Sequence, residues 1–204
     1  MKVLMLNGSP HEKGCTYTAL SVIKAELQVQ GIETEIIWVG NKPVQGCIGC
    51  WRCKENASHC VFKDQVNDLI EKMEGADGLI LGSPVQFASA AGSFTAILDR
   101  FFVAGSKALA YKPAAVVCSA RRAGTTSTFN QLMSYLTMNN MVIVPSPYWN
   151  MVHGSKPEEV LHDEEGIYIM KSVASGMAWL LKVLAAGKNI KIVQQISAKT
   201  NFIH

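Results

Sequence analysis

Short apolar runs alternate with longer amphipathic stretches along this chain. The run Lys2–Leu6 ends at Asn7-Gly8-Ser9-Pro10 and predicts a first strand. Leu20, Ile23 and Leu27 recur at helical spacing, and Gly31 closes that helix. Thr34–Val39 is β-branched and aromatic, so a second strand is expected. An irregular stretch covers 40–62. Asp64 then stands where it caps a helix with Val66, Leu69, Ile70 and Met73 on one face and Gly75 at its end. Gly78–Leu81, Ala114–Cys118 and Met141–Val144 read as three further strands. Between them, Phe94, Ile97, Leu98 and Phe101, then Phe129, Leu132, Met133 and Leu136, give two helices. A loop of about 20 residues follows, long enough to suggest a functional or contact role. Ile167–Leu184 reads as a last long helix ending at Gly187, and the tail 188–204 alternates loosely as a strand or an arm.

Five apolar strands separated by amphipathic helices imply a parallel sheet covered on both faces. The expectation is one three-layer α/β domain over 1–204, strand order 2-1-3-4-5, with ligands at the C-terminal edge of the sheet. Composition narrows the function. Only 17% of the 204 residues are charged, against a usual share of about 25%, which excludes a disordered chain. A net charge of +3 without a basic block argues against phosphate-driven nucleic-acid binding. The longest uncharged runs, Gly78–Leu98 and Ala123–Ser155, are broken by Gly, Pro, Ser and Asn. Neither offers about 20 unbroken apolar residues for a membrane span, and the first apolar stretch is too short for a signal peptide. A soluble cytoplasmic protein is expected. Its missing charge is absorbed by a large core, a buried cofactor or subunit interfaces.

Three loops should meet at the strand ends. The loop from Asn7 to Thr16 leads into a helix N-terminus, a natural anion site, with hydroxyls at Ser9, Thr16 and Thr18. It is neither a P-loop nor Gly-x-Gly-x-x-Gly. An ordinary capped turn accounts for it equally well. The loop 82–92 carries small residues around Gln86 and Phe87, suited to close approach of a flat ligand or to a tight turn over core Phe. The loop 119–125 offers amides, hydroxyls, Arg121 and Arg122, or is a solvated basic turn.

Asn7-Gly8-Ser9-Pro10, Gly14-Cys15-Thr16, Gly82-Ser83-Pro84-Val85 and Leu98-Asp99-Arg100, all in register, resemble the flavodoxin-like NADPH-dependent FMN reductase superfamily over at least 2–154. The resemblance implies FMN, with Ser9, His11, Cys15 and Thr16 at its phosphate. It implies Pro84, Val85, Gln86 and Phe87 at the ring, with Ser119, Arg121 and Gly124. His11, Cys15 and Gln86 stand where Arg, Asn and Tyr are common in that superfamily.

Four of the six cysteines form the array Cys47-x2-Cys50-x2-Cys53-x6-Cys60. Two consecutive x2 spacings let three thiolates converge from one loop, and the fourth closes the set, as in compact [4Fe–4S] ligation. A four-cysteine zinc site, a thiol–disulfide pair and a metal-free loop stay open, although zinc usually joins two separated knuckles. Within the superfamily the array is similar to that of the iron–sulfur flavoproteins. Cys118 ends a strand and reads as a buried small hydrophobe. Trp51 and Trp149 read as shields of a cofactor or as interface residues, and His59 as an exposed neighbour of the array. No Ser-His-Asp order or carboxylate pair supports hydrolysis.

The expected function is electron transfer between a [4Fe–4S] cluster and FMN. The donor is a ferredoxin-like protein or NAD(P)H, and no side-chain acid or base is needed. The alternatives are a cluster-free NAD(P)H-dependent FMN or quinone reductase, and a zinc-binding or thiol redox-sensing module. A homodimer or homotetramer with flavin sites near its interface is expected.

Overall fold

The computed structural model describes residues 1–193. In chain order the elements are β1 (Lys2–Asn7), α1 (Cys15–Val29), β2 (Glu33–Trp38), α2 (Gln65–Glu74), β3 (Gly78–Gln86), β4 (Ser89–Ala90) and α3 (Gly92–Ala104). They continue with α4 (Ser106–Leu109), β5 (Pro113–Ala120), α5 (Thr125–Met138), β6 (Val142–Ile143), β7 (Met151–His153), α6 (Pro157–Val160) and α7 (Glu164–Ala186). The main path of the sheet is β2-β1-β3-β5-β6, parallel throughout. This is the expected 2-1-3-4-5 order.

Two short strands were not anticipated. β4 folds back antiparallel on the end of β3, pairing Val85 with Ala90 and Gln86 with Ser89. β7 runs parallel to the far end of β5, pairing Cys118, Ser119 and Ala120 with Met151, Val152 and His153. The sheet therefore has seven strands rather than five. The stretch expected to be a structureless loop contains β7 and α6.

Alternation along each strand sends neighbouring side chains to opposite faces. Val3, Met5, Ile80, Ala115 and Val117 enter one core with α1 and α7, whereas Leu4, Leu6, Leu79, Leu81 and Val116 enter the other with α2, α3 and α5. Caps fix the helix entries. Asp64 accepts from the Val66 amide at the start of α2, and Asp163 from the Gly166 amide at the start of α7. α7 is long and apolar enough, by length and composition, to cross a membrane. Its buried residues Ile169, Met170, Val173, Ala174, Met177 and Leu181 nevertheless recur at helical spacing and belong to the sheet-facing core. Residues 190–193 of the tail carry no strand, and the rest of the expected strand or arm lies outside the described residues.

Candidate functional site

At the C-terminal ends of β1, β3 and β5 lies an open cleft of about 700 Å³. Its floor is polar and its loop is tightly held. The buried Asn7 side chain donates to the Glu12 carbonyl at 2.8 Å and accepts from the Ser9 amide at 3.1 Å. Trp38, the last residue of β2, donates its Nε1–H to the Ser9 carbonyl at 2.7 Å. The backbone of Gly40 presses on the same point, so closely that a Cβ there would stand 1.9 Å from the Ser9 carbonyl oxygen.

α1 opens onto this cleft without a capping side chain or an acidic residue in its first turn. Its first amides have no intrahelical partner. With the helix dipole they form an anion cradle. Ser9 Oγ accepts from the His11 amide at 3.1 Å and keeps its own proton for another acceptor. Thr16 and Ser119 hydroxyls meet at 2.8 Å, both buried, and tie α1 to β5. Burial pushes the Cys15 thiol up, with Glu159 and Glu158 adding to it, and its Sγ lies 3.5 Å from the Gly154 carbonyl. It stays a neutral thiol, which suits a site built for an anion.

Of the residues expected around a flavin, Ser9, His11, Cys15, Thr16, Pro84, Val85, Ser119 and Arg121 line the cleft. Gln86, Phe87 and Gly124 do not. Phe87 and Ala88 form the two-residue turn between β3 and β4 with φ of 50° and 57°. That is the left-handed geometry of a tight hairpin, and it throws Phe87 wholly into solvent. Gly124 sits behind the wall with φ of 92°, where a Cβ would stand 2.8 Å from Val85 Cγ1. It shapes the Val85 side of the cleft from outside. Sequence reasoning missed Trp38 and the wall of Gly154, Ser155 and Pro157. The strand-end position of Trp38 and the Gly-Ser-x-Pro turn signal were the available cues.

The cysteine loop leaves the end of β2, makes one 3-10 turn at Arg52–Lys54, and returns along α3. Cys47, Cys50, Cys53 and Cys60 all line one small cavity of about 60 Å³, with Val61, Phe62, Val103 and Ala104 on its apolar side. None is in a disulfide. Burial pushes the Cys53 thiol up, and the charges of Cys50, Cys60 and Cys47 push it further. Among the described residues no three His, Cys, Asp or Glu side chains stand close enough to grip a single metal ion. A tetrahedral zinc with bonds of about 2.3 Å would draw its sulfurs to about 3.8 Å of one another. The four cysteines line one cavity without forming such a group. His59 turns away to Glu71 at 3.2 Å, and Trp51 rims the cavity half-exposed.

The family model for NADPH-dependent FMN reductase matches residues 1–156. The chain belongs to this family. It is therefore a flavin-dependent oxidoreductase, and the cleft's uncapped helix fits the phosphate of FMN. An iron-sulfur flavoprotein of Methanocaldococcus jannaschii is 29% identical over 195 residues, which cover 90% of this chain and 99% of that protein. Among solved structures, RosB with a bound 8-demethyl-8-formylriboflavin-5'-phosphate intermediate aligns with a TM-score of 0.70 at 17% identity, over 98% of this chain and 92% of that one. A flavodoxin from the domain Archaea aligns with a TM-score of 0.59 at 10% identity, over 89% and 99%. Both structural likenesses establish the flavodoxin-like fold of this FMN reductase family member.

Proposed function

We propose that this FMN oxidoreductase is an electron-transfer iron–sulfur flavoprotein, with FMN in the cleft and a [4Fe–4S] cluster held by Cys47, Cys50, Cys53 and Cys60. The observation that carries the reading is that all four cysteines of the array line one cavity. The iron-sulfur flavoprotein relative from Methanocaldococcus jannaschii supports it. When bound, FMN supplies one- or two-electron chemistry and the cluster one-electron chemistry.

The chain's own residues do the rest. The first amides of α1, Ser9 and the Thr16–Ser119 pair hold the phosphate charge. Pro84 and Val85 keep water from one side of the ring, and Arg121 at the end of β5 offsets negative charge gained on reduction. Val61, Phe62, Val103 and Ala104 exclude water from the cysteine cavity. The two sites share α3. Phe94 in its first turn packs where a Gly8 side chain would stand, and Arg100 touches Cys60. Six residues of helix separate these contacts by about 9 Å. The donor is a ferredoxin-like protein or NAD(P)H. Exposed Phe87, Tyr148, Trp149, Trp51 and Ile48 support a homodimer or homotetramer.

The test is an anaerobic preparation assayed for flavin, iron and acid-labile sulfide. About four irons and four sulfides per chain beside one FMN are expected. FMN with neither iron nor sulfide overturns the cluster and favours a cluster-free reductase, for which rapid bleaching by NADPH is the signature. Stoichiometric zinc in place of iron overturns it too. Light scattering reads the oligomer, and a monomer refutes that part.

A further inference from the structure

We propose that Arg100 is a positioning residue that clamps both ends of the cysteine loop and tunes the reduction potential of the group held by Cys60. Its second half rests on the cluster reading above. Arg100 is 1% exposed, yet all five of its N–H donors are used. Nε donates to Cys60 Sγ at 3.2 Å. Nη1 donates to the Gln45 carbonyl at 3.1 Å and to Asp64 Oδ2 at 2.6 Å. Nη2 donates to Asp64 Oδ1 at 2.8 Å and to the Phe62 carbonyl at 3.4 Å. The guanidinium also lies 4.8 Å from the centre of the Phe62 ring.

The placement along the chain is the point. Gln45 lies two residues before the first cysteine of the array and Phe62 two residues after the last. One rigid fork on α3 therefore holds the entry and the exit of the loop together. A merely structural plug would not need this charge, because a buried ion pair is often replaceable by apolar residues at no loss. What an apolar side chain cannot do is donate to a sulfur. Potentials of iron–sulfur centres follow net charge and hydrogen bonds to the sulfurs. Reduction adds negative charge, so a cationic N–H donor on Cys60 favours the reduced form. Asp64 partly cancels that charge.

The two partners must then act with opposite sign. In Arg100→Gln the midpoint potential falls. The reduced-to-oxidised ratio at a fixed potential drops about tenfold, equivalent to about 59 mV for a one-electron centre. In Asp64→Asn, which keeps an oxygen for the Val66 amide, the potential rises. Both are read by redox titration of the anaerobic protein followed by electron paramagnetic resonance. Hydrogen exchange over 45–62 is read on the same samples and should speed up in Arg100→Gln, with β1, β3 and β5 unchanged. Shifts of the same sign, or below twofold in that ratio, overturn the tuning. Unchanged exchange overturns the clamp. If Arg100→Gln does not fold, Asp64→Asn carries both readouts, a raised potential and partly faster exchange. If the wild-type protein binds no iron, the cluster reading fails and the tuning with it, while exchange alone decides the clamp.

Discussion

Replacing Gly40 by alanine should unseat the loop that follows β1. The new Cβ would stand 1.9 Å from the Ser9 carbonyl oxygen, 2.4 Å from its carbon and 2.9 Å from the Gly8 carbonyl carbon. All three are backbone atoms, so no side chain can swing aside. To reach even 3.0 Å from that oxygen the two strands of chain must part by 1.1 Å (3.0 less 1.9). That movement breaks the Trp38 bond to Ser9 and the Ser93 bond to the Gly40 carbonyl, now 2.7 and 3.0 Å. Two hydrogen bonds at about 1 kcal/mol each and at least about 1 kcal/mol of overpacking make about 3 kcal/mol. With a urea slope of about 2 kcal/mol per molar, the midpoint should fall by about 1.5 M. FMN affinity should fall at least about tenfold, the equivalent of 1.4 kcal/mol, because the same loop frames the anion cradle. Flavin fluorescence titration reads the affinity and circular dichroism the midpoint. Gly92→Ala is the control, since a Cβ there meets nothing within 4 Å. It should stay within about 0.5 kcal/mol of wild type. A Gly40→Ala protein with wild-type midpoint and affinity would falsify the close approach.

Three further outcomes follow from the geometry. Ser9→Ala with Thr16→Ala should weaken FMN binding about tenfold, because it removes the Ser9 hydroxyl that accepts from the His11 amide and breaks the buried pair with Ser119; unchanged binding means that the phosphate lies elsewhere. Burial alone pushes the Asp64 carboxyl up, but the Arg100 hydrogen bonds, the Val66 amide and the Arg100 charge outweigh it and hold it below the usual aspartate range. Its contribution is thus present above about pH 4 and is lost as pH falls through the lowered folded value; urea midpoints from pH 6 to pH 3 should decline more steeply in wild type than in Asp64→Asn, and parallel curves contradict this. Burial pushes the Cys118 thiol up to about 12, so iodoacetamide at pH 8 should leave it unlabelled in the native protein while the exposed Cys47 and Cys50 react when no metal protects them; early labelling of Cys118 would show that β5 opens readily.

Much of the fold is legible in the chain because its signals are local. Asp64 and Gly187 mark helix ends by chemistry confined to a few neighbours. The central strands β1, β3 and β5 carry nearly continuous buried apolar runs, as a doubly covered parallel sheet requires. β4 and β7 lack such signals. Ser89–Ala90 has two small residues, and its turn uses Phe87 and Ala88 where Asn-Gly would normally announce a hairpin. Met151–His153 is a strand only because the end of β5 offers it free backbone groups. The site divides in the same way. Ser9 and Thr16 stand out from the strand-end loop itself, whereas Pro84 and Val85 are implied by the family resemblance. Trp38 and Arg100 act through bonds to residues 29 and 40 positions away, Ser9 and Cys60, which no spacing rule reaches.

The tie from Arg100 to Gln45 and Phe62 has a consequence for how this chain can vary. With its two ends pinned to one helix, the segment between them is a ring whose circumference is almost free. Doubling a loop costs only about 0.6 kcal/mol in closure entropy. Residues could be inserted between Cys53 and Cys60, or removed, while the sheet and the cleft keep their geometry. The cysteine segment is then an exchangeable cartridge on a fixed socket. Its spacing is a design variable separate from the flavin site, and a loop of different length grafted between residues 46 and 61 should leave FMN affinity where it was.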